Sequence, residues 1–176
     1  MIRAVFLDRD GVLNRALVRE GKPYPPANLS ELEILPGVEE ACSTLKRAGL
    51  GLIVITNQPD LSRGTMERGA VDAMNAEVRE RLGLDDVRVC PHDDADRCDC
   101  RKPAPGLLLA AAREWRIALD RSVMVGDRWR DIESGRRAGC KTVFIDYGYA
   151  EQRPQAPDLI VGSLLDAVPW ILETTR

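Results

Sequence analysis

No stretch of this 176-residue chain is apolar for long enough to cross a bilayer. The first apolar run, Ile2 to Leu7, is short, is interrupted by Arg3 and ends at Asp8. That excludes a signal-peptide core and points to the cytoplasm. A basic excess is missing as well: the formal net charge is −3, and aromatic residues make up 5% of the chain. A cationic stripe with interleaved aromatics, the usual footprint of a nucleic-acid binder, is therefore excluded. A local cluster of Arg and Lys can still reverse the field inside a cleft and receive a small anion. Histidine occurs once and cysteine five times. The odd cysteine count, with Cys90, Cys98 and Cys100 close together, fits metal binding better than a disulfide framework. Cys42 and Cys140 sit among small and apolar residues and read as buried free thiols. Internal repeats and low-complexity tracts are absent too.

What is present is a regular alternation of short apolar runs and amphipathic segments. Strands are expected at 2–7, 50–55, 87–90, 122–125, 141–145 and 159–161. Helices are expected at 36–48, 66–82, 105–116, 129–138 and 163–172, several of them opened by Pro or closed by Gly. Repeated βα units imply an α/β fold. Its sheet is Rossmann-like and mainly parallel, with helices on both faces. The length suits one domain, residues 1–176, with no room for a large cap domain. Between Asn14 and Glu33 a proline-bearing segment, Gly21-Lys22-Pro23-Tyr24-Pro25-Pro26, reads as an ordered flap.

Four polar groups fall where expected strands end, the position at which open α/β sheets place their sites. Asp8-Arg9-Asp10-Gly11-Val12 carries two carboxylates at i and i+2, which point the same way in an extended segment. They can share a divalent cation or divide nucleophilic and acid–base work. Thr56-Asn57-Gln58 offers a hydroxyl and a backbone amide to a phosphoryl oxygen, although such triplets are more often simple turns. Arg101-Lys102-Pro103 brings two cations that suit a phosphate. In Gly126-Asp127-Arg128-Trp129-Arg130-Asp131, Asp127 and Asp131 can ligate or orient a hard cation, or merely start a helix.

A fifth group is Cys90-Pro91-His92 followed by Cys98-Asp99-Cys100. Three thiolates and one imidazole complete a tetrahedral zinc site with no open position, so this zinc is expected to be structural. It would stiffen the loop leading into Arg101 and Lys102. Asp93, Asp94 and Asp96 within it read as solvated.

Together the four strand-end groups resemble the motif series of the haloacid dehalogenase-like phosphohydrolases over nearly the whole chain. One departure is Val12-Leu13, where Thr followed by Leu or Ile is frequent. The resemblance implies a Mg²⁺-dependent phosphatase working on a small phosphate ester. It makes Asp8 the nucleophile and Asp10 the acid–base, and Mg²⁺ is held by Asp8, the Asp10 carbonyl and Asp127. Asp131 orients the metal shell, while Thr56, Asn57, Gln58 and Lys102 attend the phosphate.

The Cys/His loop narrows the resemblance to two branches with compact members, the heptose bisphosphate phosphatases and the histidinol phosphate phosphatases. The five-residue spacer between His92 and Cys98 is similar to the second branch. The runs Thr56 to Gly64 and Arg101 to Leu108 are similar to the first, which the balance favours. Arg63, Arg101 and Arg128 are then expected to converge at the mouth on a second phosphate of a sugar substrate. A monomer is expected. The readings set against this one are a histidinol phosphate phosphatase and a catalytically inactive zinc-bearing interaction domain.

Overall fold

The computed structural model describes residues 1–176. Six parallel strands form one sheet: β1 (Ala4–Leu7), β4 (Gly51–Asn57), β5 (Asp86–Cys90), β6 (Val123–Gly126), β7 (Lys141–Ile145) and β8 (Leu159–Val161). Their order across the sheet is β5-β4-β1-β6-β7-β8. The chain builds outward from β1 in one direction, then returns to β1 and builds outward in the other. β1 therefore lies at the topological switch point, where the loops at the strand C-termini part and leave a crevice.

Helices α1 (Val38–Arg47), α2 (Arg68–Leu82) and α5 (Leu164–Thr174) cover one face, and α3 (Gly106–Trp115) and α4 (Trp129–Ala138) the other. Side-chain alternation along β1 decides the split. Val5 and Leu7 join the larger core beneath α1 and α5, whereas Ala4 and Phe6 join the smaller one beneath α3. All four are fully buried, and burying a side chain the size of Phe6 is worth about 1.5–3 kcal/mol. A strand covered on both faces needs this unbroken apolar run. No helix is long and apolar enough to cross a membrane.

Expected and observed elements differ mainly at their ends. The first strand is shorter than its apolar run, because Ile2 makes only an isolated bridge to Ile117. The second runs on to Asn57, since β5 pairs with it through Thr56 and Asn57. The last helix starts one residue late, where the Ser163 hydroxyl caps the Asp166 N–H. The flap proves to be a hairpin of β2 (Leu17–Arg19) and β3 (Lys22–Tyr24). It is docked on the loop after β7 by an Ala150 N–H to Gly21 carbonyl hydrogen bond of 2.8 Å.

Candidate active site

Asp8 is the first residue past β1, and its N–H still donates to the Val125 carbonyl of β6. The chain then turns sharply, with the Arg9 carbonyl accepting from the N–H groups of Val12, Leu13 and Asn14. Gly11 lies in the left-handed region at φ +87°, and a Cβ there would sit 1.9 Å from Asp127 Oδ2. Only glycine lets the first loop pass this close to the fourth. Gly126 has the same duty, since its Cβ would fall 2.0 Å from the Asp131 Cβ.

These close approaches bring Asp8, Asp127 and Asp131 together, with a carboxylate oxygen of each within 4.8 Å of the others, and all three are buried. Lys102, 2% exposed, reaches them from the loop before α3. Its ammonium lies 2.9 Å from Asp8 Oδ1 and 2.6 Å from Asp131 Oδ1, and donates to the Ile55 carbonyl at 2.7 Å. Asp131 Oδ2 caps α4 by accepting from the Arg128 N–H. The Asp8 Oδ1 atom also accepts from the Arg9 N–H.

Three carboxylates share one ammonium here, and the charge is uncompensated. Burial, followed by repulsion from Asp131, raises the Asp8 carboxyl to about 6. Burial, followed by repulsion from Asp8, holds Asp127 well above the usual carboxylate range. For Lys102 burial works against the charge, but Asp131 and Asp8 outweigh it and its pKa rises. Asp127 Oδ2 accepts from the Tyr149 hydroxyl at 2.9 Å, while its Oδ1 is buried with no partner. An orphaned carboxylate oxygen in an all-oxygen cluster with excess negative charge fits a hard divalent cation.

Asp10 points elsewhere. Its carboxylate accepts from Arg9, Asn14 Nδ2 and Gln58 Nε2. Arg9 is fully buried and its other arm donates to Asn75. Gln58 therefore faces Asp10 and is itself buried, and its amide also donates to the Thr56 hydroxyl. Thr56 accepts that bond and keeps its own hydrogen to give. Asn57 clamps the Lys102 backbone from both sides, through Nδ2 to the carbonyl and Oδ1 from the N–H, each at 3.1 Å.

Above this floor opens a cavity of about 280 Å³. Arg63, Arg101 and Arg128 do converge on it, but each arrives already paired. Arg63 meets Asp93 at 2.7 Å, Arg101 meets Asp94 at 2.8 Å, and Arg128 forks onto Glu151. Arg130 also pairs with Asp94. The expectation that Asp93, Asp94 and Asp96 are merely solvated is thus corrected. The Cys/His loop folds back over the rim and sets Asp93 and Asp94 against arginines of other loops, while Asp96 accepts from Ser62.

That fold-back is anchored by the sulfur cluster. Cys90, Cys98 and Cys100 place their sulfurs 3.1–3.7 Å apart, and His92 Nδ1 lies 3.3 Å from Cys100 and 3.6 Å from Cys90. Ligands about 2.3 Å from a central zinc would stand at nearly these separations. Cys42 and Cys140 are buried free thiols, as expected, and burial pushes each up to about 12.

Sequence reading missed Arg9, Asn14, Asn75, Tyr149 and Glu151. For Arg9 a signal was present, a cation between two aspartates at the end of an apolar strand. Tyr149 and Glu151 follow β7 in a loop with no motif of its own.

The parallel sheet with an aspartate cluster at its switch point defines a haloacid dehalogenase-like hydrolase. The model of that family matches residues 26–139, and the chain belongs to it. Among curated proteins, the chain is 35% identical to a D-glycero-D-manno-heptose-1,7-bisphosphate 7-phosphatase of Thermosynechococcus vestitus, over 96% of this chain and 94% of that one. It is equally identical to the D-glycero-beta-D-manno-heptose-1,7-bisphosphate 7-phosphatase of Photorhabdus laumondii, over 94% and 93%. A similar solved structure is D,D-heptose 1,7-bisphosphate phosphatase from B. bronchiseptica, complexed with magnesium and phosphate. Its TM-score is 0.80 at 26% identity, covering 98% of this chain and 99% of that one.

Proposed function

We propose that this chain is a Mg²⁺-dependent phosphatase that removes the C7 phosphate of D-glycero-D-manno-heptose 1,7-bisphosphate through an aspartyl phosphate on Asp8, acting as a cytoplasmic monomer. The observation that carries the chemistry is the orphaned Asp127 oxygen beside Asp8 at the sheet's switch point. The substrate rests on the likeness to the heptose bisphosphate phosphatases along nearly the whole chain.

Asp8, the Asp10 carbonyl and Asp127 would hold Mg²⁺, whose charge would offset repulsion between the Asp8 carboxylate and the incoming phosphate. Asp8 attacks phosphorus, with its carboxylate oriented by the Arg9 N–H and Lys102. Lys102 and the Thr56 hydroxyl receive the transferred oxygens, and Asn57 fixes the Lys102 backbone while they do so. Asp10 gives its proton to the leaving alkoxide and later takes one from the water that hydrolyses the acyl phosphate. Gln58, Asn14 and Arg9 hold that carboxylate in position. General acid–base help of this kind is worth about 10²–10⁴-fold. Cys90, His92, Cys98 and Cys100 would hold zinc in a closed cage, which would stand apart from the reaction and keep the rim folded.

Side-by-side kinetics test the substrate. The kcat/KM for the heptose bisphosphate should exceed that for histidinol phosphate by at least about 100-fold, roughly 2.7 kcal/mol of transition-state discrimination. Faster turnover of histidinol phosphate would overturn the assignment and leave the phosphatase chemistry standing.

A further inference from the structure

Helix α2 turns one stripe inward: Val71, Met74, Asn75, Val78 and Leu82. Four of the five are apolar. The fifth, Asn75, is a polar side chain only 8% exposed. Burying an amide in such a stripe is costly unless it finds a partner. Its partner is Arg9, 66 positions away in the chain, whose guanidinium donates to Asn75 Oδ1 at 2.8 Å.

Arg9 is fully buried, and every hydrogen bond of its guanidinium goes to one of two side chains. One is Asp10, gripped by Nε and one terminal nitrogen at 3.0–3.2 Å, so that both carboxylate oxygens are engaged. Asn14 and Gln58 each reach a single oxygen of Asp10. Only the guanidinium fork spans both, and a planar fork fixes the plane of the carboxylate it holds. The fork's other partner is Asn75. Asp10 follows Arg9 on the same turn and cannot serve as that turn's outside reference. Asn75 can, because it stands on a helix of 15 residues whose stripe is locked in the interior. The contact ties the turn after β1 to α2, and Asp10, at the edge of the cavity, takes its aim from that tie.

We infer that Asn75 is a positioning residue for the acid–base step: it fixes the Arg9 fork, and through it the Asp10 carboxyl, against the leaving oxygen of the substrate. The inference rests on the reading of Asp10 as the acid–base, whatever the sugar. It extends the working parts of the site to a helix that contributes no side chain to the cavity.

The test compares kcat/KM for an alkyl phosphate with kcat/KM for p-nitrophenyl phosphate, whose leaving group departs without a proton. The alkyl ester is the sugar phosphate that the wild type hydrolyses fastest in a panel containing the heptose bisphosphate. Both constants run only as far as departure of the leaving group, so their ratio isolates the acid. Asn75→Leu keeps the shape of the side chain and removes the acceptor, and it should lower the ratio of alkyl to aryl ester about tenfold. Asn75→Asp restores the acceptor and should recover most of the ratio. Arg9→Met should lower the ratio by itself, and adding Asn75→Leu to it should change the ratio by less than about twofold, because the tie is already gone. If Asn75→Leu does not fold, Asn75→Ala carries the same comparison. A ratio within about twofold of the wild type, whether both rates fall together or neither does, would overturn the inference. Asp10→Asn tests the underlying reading separately and should lower the ratio at least about a hundredfold. An unchanged ratio in Asp10→Asn sinks Asp10 as the acid, and the role of Asn75 with it. A collapsed ratio in Asp10→Asn beside an unchanged one in Asn75→Leu sinks the role of Asn75 alone.

Discussion

The floor and the rim of the cavity are built on opposite principles. The floor is dry and made of oxygen: Asp8, Asp127 and Asp131 come from the ends of β1 and β6 and the first turn of α4, and Lys102 reaches them fully buried. The rim is wet and made of loops. Its ion pairs each keep at least one partner open to solvent, and its anchor is a cluster of sulfurs instead of a strand. The floor holds excess negative charge that a bound cation would relieve, whereas the rim pairs its charges among themselves. One region is poised for reaction and the other for shape.

The largest effect should come from breaking the floor. Asp8→Asn keeps the size of the side chain and removes its charge and most of its nucleophilicity. Its kcat should fall at least about 10³-fold, some 4 kcal/mol of barrier, with the circular dichroism spectrum unchanged. Retention of a tenth of the activity would remove Asp8 from the nucleophile's role.

Breaking the anchor of the rim should act on stability first. Cys98→Ser leaves three ligands, and zinc content measured by elemental analysis should fall well below one ion per chain. The melting temperature should drop by about 10 °C or more. A wild-type protein prepared without chelator and found free of zinc would contradict the cage.

Tyr149→Phe sharpens the comparison, because Tyr149 is where a peripheral loop touches the floor. Losing the hydroxyl frees Asp127 Oδ2 to turn and blunts the aim of Oδ1. The Mg²⁺ concentration needed for half of the metal-induced rise in melting temperature should increase about tenfold. An unchanged metal titration would make the contact merely structural.

The smallest effect should come from the rim's own pairs. Asp93→Asn releases Arg63, yet both groups face solvent, so the melting temperature should move by less than about 2 °C.

The two regions were also unequally legible in the sequence. Asp8 and Asp127 directly follow apolar strands and have a glycine nearby, so strand periodicity marks them without any tertiary information. Asp131, in the first turn of α4, and Lys102, in the loop before α3, were picked out by their place in the motif series, and the cysteine spacing pointed to the cage. The pairings of the rim could not be read. Arg128 and Glu151 lie far apart in the chain and meet only because β6 and β7 are neighbours. Arg63 meets Asp93 only because the cage folds its loop back. The side chain of Asp10 was expected to point with Asp8. The turn at Gly11 sends it toward Gln58 instead, where the buried Arg9 holds it.

Gly11 and Gly126 carry no functional group, yet the aspartate cluster exists only because neither has a Cβ. In a comprehensive mutational survey scored on turnover, both positions should therefore rank with Asp8 and Asp127, tolerating no replacement, not even alanine. Intolerance at a position would there report the space an aspartate needs, and a catalytic inventory drawn from such a survey would count two residues that never touch the substrate.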